Sequence, residues 1–215
     1  MAILFILKPS LSIQSVPYAI FTTGLTGMVF SLSIIFSFQT LYGYLYHQIG
    51  LLVTLFMTGI ALGSLLITAR LNRIARDAFL FLGTEFGLIL LSLLFPSLFL
   101  GAAKHFQGAS TAALVDATFW GSSLLSGFLM GLQFPLATKI YLHHLPANGT
   151  VGRTAGLIYG VDLLGGFVGG LLGGVLLLPI LGLKETCLTA GMVKASSLLL
   201  FLVFTRVHRR KRNRR

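Results

Sequence analysis

The stretch from Gly152 to Gly182 is long, apolar and regularly stepped with glycine, and it constrains the fold more than any other part of the chain. Between Thr154 and Leu178 its only charged residue is Asp162. At about 1.5 Å per residue, a helix over these roughly 25 residues is about 37 Å long, which exceeds a hydrocarbon core of about 30 Å. The stretch therefore predicts a membrane-spanning helix.

The glycines of this stretch form two rows of four-residue steps, which predict a smooth groove for a neighbouring helix: Gly165, Gly169, Gly173 and Gly166, Gly170, Gly174. Small residues let helix backbones approach in lipid, where apolar burial does not drive association. Asp162 precedes Gly166 by one turn and shares its face. It is either a structural hydrogen-bond acceptor between helices or a group that binds a proton, an ion or a substrate.

Composition places the whole chain in the membrane. Hydrophobic residues make up 55% of the sequence, charged residues 10%, and the mean hydropathy is +0.91. These values exclude a soluble globular protein, and the polar connections are too short to fold as a separate catalytic domain. Cys187 is the single cysteine, which excludes an internal disulfide and a cysteine metal cluster.

Six apolar runs predict an all-α, polytopic bundle of about six transmembrane helices. A lead-in at residues 1–16 is expected to lie in the membrane interface, residues 17–205 to form the membrane domain, and residues 206–215 to form a basic tail. The predicted spans are Pro17–Gln39, Gln48–Ala69, Ala78–Leu100, Ala117–Thr138, Thr154–Leu181 and Thr186–Thr205.

Lysine and arginine predict the orientation. With a cytoplasmic N-terminus, 13 of the 16 basic residues lie on the cytoplasmic side, and only Lys104 and Lys184 lie opposite. Both termini are therefore expected in the cytoplasm. The net charge of +11 is concentrated in a tail that is expected to bind anionic lipid headgroups and not nucleic acid. Its basic residues are Arg206, Arg209, Arg210, Lys211, Arg212, Arg214 and Arg215.

Other spans carry further packing and polar signals. Gly59 and Gly63 in the second span, and Gly127 and Gly131 in the fourth, predict packing faces. Pro135 is expected to kink or end the fourth helix near the cytoplasm.

Two more charges lie inside predicted spans. Glu85 in the third span and Lys194 in the sixth approach the depth of Asp162 from opposite sides. They predict a buried network of all three charges. In the alternative, Lys194 snorkels outward while Glu85 is protonated or hydrogen-bonded to a neighbour.

No pattern in the sequence indicates an enzyme, a cofactor or a metal site. The five histidines fall in predicted loops or the tail, away from where axial haem ligands would lie: His47, His105, His143, His144 and His208. The glycines are not followed by the lysine and hydroxyl residue of a phosphate-binding loop, and no nucleophile elbow is present.

Three segments resemble the integral membrane region of the spermidine-synthase-like fused membrane proteins of bacteria. They run from Thr22 to Leu66, from Gly131 to Leu142 with its Phe-Pro step, and from Ala155 to Leu183 with its aspartate and glycines. That region is itself similar to one half of a major facilitator transporter, with six spans and both ends inside. The resemblance covers the membrane region alone, so it does not imply aminopropyl transfer.

Two functions follow as expectations. In the first, the protein is a scaffold or accessory subunit that associates with itself or with other membrane subunits through glycine-rich helices. In the alternative, it is a transporter-like half that works as a dimer, with Asp162 and Glu85 binding a small cationic or proton-coupled substrate. The bacterial inner membrane is the expected location.

Overall fold

The computed structural model describes residues 15–43, 46–71, 77–105, 109–142 and 151–212, and its main elements are all helices. These are α1 (Ser15–Tyr42), α2 (Tyr46–Arg70), α3 (Asp77–His105), α4 (Ala109–Leu142), α5 (Val151–Leu171), a π-helical segment (Leu172–Leu181) and α6 (Gly182–Arg212). Most of the predicted lead-in, the residues His143 and His144, and Arg214 and Arg215 of the tail lie outside the described residues.

Five helical stretches in the described part of the chain are long and apolar enough to cross a membrane: Ser15–Tyr42, Tyr46–Arg70, Asp77–Ala103, Ala112–Leu142 and Val151–Val203. The protein is therefore a multi-pass membrane protein with an all-helical fold. The last stretch holds 53 residues, about twice the length of a single crossing.

The helices extend beyond the apolar runs that predicted them. Backbone hydrogen bonds continue where side chains are already polar, so His47 lies in the first turn of α2 and His105 ends α3. The prediction of loops at these two positions was wrong. Pro135 lies inside α4, which continues to Leu142, so this proline does not end the helix.

The helices pair most closely as α1 with α5, α2 with α4, and α3 with α6. In the second pair, Gly59 and Gly63 lie against the α4 backbone, and Gly127 and Gly131 lie against the α2 backbone. A methyl group at any of the four would overlap a backbone carbonyl oxygen of the facing helix. The two helices run parallel in direct backbone contact, as expected for small residues in a membrane seam.

Helix α1 occupies the groove predicted on α5. Methyl groups at Gly165 and Gly169 would overlap the carbonyl oxygens of Phe21 and Leu25, so this row is in backbone contact. The second row contacts α1 at ordinary distances: at Gly170, a methyl group would lie 3.5 Å from the Met28 side chain. Both glycine rows therefore pack on α1, and the row that contains Gly165 and Gly169 lies closer to it.

The chain reverses direction at Gly182. Helix α5 runs parallel to α1, since Gly165 lies against Phe21 and the later Gly173 against Val29. Helix α6 runs antiparallel to α3, because Ser92 contacts Cys187 and Phe81 contacts Phe201. Gly182 has φ of +82°, a backbone conformation that glycine adopts without a Cβ clash, and its N–H bonds the Leu178 carbonyl.

A buried polar layer and the family of the chain

A layer of buried polar side chains divides the apolar core in two. One apolar cluster contains Phe30, Phe95 and Phe119, and the other contains Ile20, Phe81 and Phe201. Between them lie four side chains from four different helices: Thr23 of α1, Glu85 of α3, Gln133 of α4 and Lys194 of α6. We refer to these four residues as the polar layer.

An ion pair is the centre of the polar layer. The Lys194 Nζ lies 2.6 Å from the Glu85 Oε1, and neither side chain is exposed. Lys194 also donates to the Thr23 hydroxyl at 2.7 Å and to the Gln133 Oε1 at 3.3 Å. Burial of these two charges is compensated by close pairing and further hydrogen bonds, the condition under which a buried pair is tolerated.

Gln133 links the remaining members. Its Nε2 donates to Glu85 at 3.0 Å and to Thr84 at 3.2 Å, while its Oε1 accepts from Thr23. The other carboxylate oxygen of Glu85 is buried and has no hydrogen-bond partner among the described residues. One strong acceptor in the layer is therefore unsatisfied.

The structure brings two of the three predicted intramembrane charges together. Lys194 is fully buried on Glu85, so it does not snorkel outward. Asp162 is half-buried on α5, where its Oδ1 lies 2.9 Å from the position a methyl group on Gly24 would take. It interacts electrostatically with Lys194, but no hydrogen bond joins it to the described part of the chain. Asp162 therefore borders the polar layer without belonging to it.

Sequence reasoning missed Thr23 and Gln133 as functional candidates. Gln133 entered it only as part of the Phe-Pro step, and Thr23 only as part of a resemblance. An amide within a long apolar helix is expensive to bury without partners, and this signal was available in the sequence.

A second ion pair marks one end of the bundle. Lys139 near the end of α4 contacts Asp77 at the start of α3 at 2.9 Å, and it donates to the Leu71 carbonyl at 2.7 Å. A pocket of about 470 Å³ lies beside it, between α2, α4 and the start of α5. Glu85 follows Asp77 by two turns, about 12 Å along the helix. The polar layer therefore lies about two turns in from this end, on this side of the middle of the bundle.

A helical membrane protein whose spans enclose paired charges has the features of proteins that move solutes or protons, where such residues mark the pathway. The sequence matches the family model of the Major Facilitator Superfamily over residues 18–215. The chain belongs to this superfamily, whose members are transporters. No curated protein and no solved structure matches the chain significantly.

The pairing of the helices agrees with this assignment. Suppose that α1, α2 and α3 exchange places with α4, α5 and α6, in that order. The α1–α5 pair then becomes the α4–α2 pair, and the α3–α6 pair is unchanged. Six-helix halves of this superfamily are built from two inverted repeats of three helices, which require that exchange symmetry.

Proposed function

We propose that the protein is a six-helix transporter unit that moves a small cationic or proton-coupled substrate in partnership with a second six-helix unit, a second copy of this chain in the simplest case. The observation that carries the proposal is the polar layer around Lys194 and Glu85. A structural bundle gains nothing from burying these charges, because a well-packed apolar core of the same volume is as stable or more stable.

The charges of this region favour a cation. Lys194 contributes one positive charge, whereas Glu85 and the adjacent Asp162 carry one carboxylate each. One carboxylate is thus left over, on the half-buried side chain of Asp162 beside α1. The unsatisfied oxygen of Glu85 is a second acceptor, which a proton or a cation would satisfy.

The proposed transporter unit has six membrane spans. The stretch Val151–Val203 is long enough for two crossings and contains the reversal at Gly182. Six crossings place both termini on one side, and the excess of basic residues on that side favours the cytoplasm. The bacterial inner membrane is the proposed location, and the tail from Arg206 onward is proposed to contact anionic headgroups.

The alternative role as a scaffold or accessory subunit loses part of its basis. That role was argued from glycine faces in excess of what six helices need, yet the rows on α2, α4 and α5 all pack within the bundle. An unoccupied row is found at Gly152, Gly156 and Gly160, with nothing within 4 Å of an added methyl group. The scaffold role and the spermidine-synthase-like resemblance both stay predictions.

The test is uptake into proteoliposomes that contain the purified chain. A panel of small organic cations is supplied outside under an imposed membrane potential, and a lumenal pH dye reports coupled protons. Asp162→Asn and Glu85→Gln are expected to abolish uptake while the particle mass is unchanged, because each removes a negative charge but keeps the side-chain shape. Gly160→Ala, at a position without close neighbours, is the control that keeps uptake.

Two results would overturn the proposal. Undiminished uptake by both Asp162→Asn and Glu85→Gln would show that these two carboxylates take no part in transport. Stoichiometric foreign subunits on a purified particle that transports nothing would favour the accessory role.

A further inference from the structure

A second set of polar side chains lies at the opposite end of α4 from Lys139. It consists of Tyr42 of α1, Gln48 of α2, and Asp116 and Trp120 of α4, which we call the Asp116 cluster. Asp116 lies just after Ala112, where the membrane-crossing stretch of α4 begins, and it is half-buried. The cluster is therefore near the bundle surface at this end, far along α4 from the polar layer.

One carboxylate oxygen of Asp116 is buried and unsatisfied by any described residue. The Tyr42 hydroxyl donates to the Ala112 carbonyl at 3.4 Å, one helical turn before Asp116, and is near the Asp116 carboxylate. The Asp116 Oδ1 is buried and has no hydrogen-bond partner in the described part of the chain. A carboxylate oxygen withdrawn from water in this way is a strong acceptor awaiting a donor.

Trp120 and Gln48 present two more unsatisfied atoms next to it. Trp120 follows Asp116 by one helical turn and shares its face, and its indole Nε1 is buried without a partner among the described residues. Helices α2 and α4 run parallel, with the Ser123 hydroxyl on the Leu52 carbonyl at 2.7 Å. One turn earlier on both helices, this register places Gln48 beside Trp120, and the Gln48 Oε1 is equally unsatisfied.

Aromatic rings pack together next to Tyr42. Phe38 stacks on Tyr42 with ring centroids 4.7 Å apart, and it meets Phe119 edge-on at 5.5 Å. Together with the indole of Trp120, these rings provide an apolar wall beside a carboxylate. Aromatic faces within about 6 Å of a cation attract it, and a carboxylate supplies the compensating charge.

We propose that the Asp116 cluster binds a small primary ammonium compound. The ammonium group donates to the Asp116 Oδ1 and the Gln48 Oε1, and the carbon skeleton lies against the aromatic rings. This inference does not rest on transport, because recognition needs only the side chains of the cluster. If transport also occurs, the cluster is a site where the cation binds before it reaches the polar layer.

Trp120 supplies the measurement, because it is the only tryptophan in the chain. The full-length protein in nanodiscs is titrated with n-butylammonium while tryptophan fluorescence is recorded. We expect a saturable change with n-butylammonium and none with n-butanol, which has a similar chain but no charge.

Variants assign the signal to the cluster. Asp116→Asn is expected to weaken the apparent affinity about tenfold or more, since it removes the charge that pairs with the ammonium. Tyr42→Phe keeps the ring and is expected to weaken it by a smaller factor. Glu185→Gln removes an exposed carboxylate at the same end of the bundle and is expected to leave the titration unchanged.

The inference is overturned if the wild-type protein shows no saturable change, if n-butanol produces an equal one, or if Asp116→Asn binds with wild-type affinity. Elution of each variant as a single nanodisc peak excludes misfolding as the cause of lost binding, and Tyr42→Phe gives a second reading if Asp116→Asn fails to fold. Binding without uptake would refute the proposed function alone, whereas uptake without a fluorescence change would refute this inference alone.

Discussion

Lys194 and Glu85 depend on each other for their burial. Both side chains are fully buried, and the charge of each compensates the other for the loss of hydration. Removal of one member of such a pair leaves an uncompensated charge, whereas removal of both leaves a smaller loss of packing. The pair is therefore predicted to show strong coupling between its two positions.

Lys194→Met tests this coupling. The single change is expected to destabilise the bundle by about 3–5 kcal/mol, because Glu85 loses its cation, and Lys194→Met combined with Glu85→Gln is expected to recover most of the loss. Thermal unfolding in detergent, followed by helical circular dichroism, measures the double variant and each single variant, Lys194→Met and Glu85→Gln. A double variant as unstable as the sum of the two single ones would show that the residues are not coupled.

The two glycine rows of α5 make a matched pair of substitutions. Gly169→Ala places a methyl group on the Leu25 carbonyl, so α1 and α5 must separate; Gly170→Ala places it 3.5 Å from the flexible Met28 side chain. We expect Gly169→Ala to lower the unfolding temperature clearly. Gly170→Ala is expected to be neutral or slightly stabilising, since alanine favours the helix over glycine by about 1 kcal/mol.

The unfolding temperatures of Gly169→Ala and Gly170→Ala, measured under the same conditions, test this difference. Equal effects would mean that α1 is not in backbone contact with the Gly165 and Gly169 row.

At the scale of elements, the turn at Gly182 decides how α6 returns to the bundle. Its φ of +82° is strained for any residue with a Cβ, and Pro179 lies one turn before it in the π-helical segment. Because proline lacks a backbone donor, it weakens the helical hydrogen bonds just ahead of the reversal. Together the two residues end one helix and begin the next without a loop.

Gly182→Ala is predicted to destabilise the fold by about 1–3 kcal/mol, because this combination of positive φ and extended ψ is essentially restricted to glycine. Gly160→Ala is the control, since it lies in a regular helix with open space around it. The measurement is the unfolding temperature of each variant. A control that falls as far as Gly182→Ala would refute the role of backbone conformation.

At the scale of the whole molecule, the orientation of the chain across the membrane can be tested by cysteine labelling. Asn148→Cys is expected to react with a membrane-impermeant maleimide only from the cytoplasmic side, and Gly108→Cys only from the opposite side, because the former connection lies on the predicted side that carries most basic residues. The native Cys187 is buried and is expected to stay unlabelled. Labelling of both engineered cysteines from one side would refute the six-span topology.

The fourth span predicted from the sequence began at Ala117, whereas α4 begins at Ala109 and carries Asp116 within it. That boundary left Asp116 just outside the predicted span, and it was not considered as a candidate. Glu85 and Lys194 were expected to approach each other because their depths could be counted along each helix, yet helix counting does not reveal a partner such as Gln133.

The sequence by itself determined that the chain lies in a membrane, where its helices run and which faces carry glycine, because hydrophobicity and helical period are properties of neighbouring residues. Only the tertiary structure decided that α1 fills the groove on α5, that Thr23 and Gln133 join the ion pair, and that Asp162 stays beside it. The physical reason is that lipid is as apolar as most of these helices. Backbone approach and polar contacts therefore select the partners, and both depend on residues far apart in the chain.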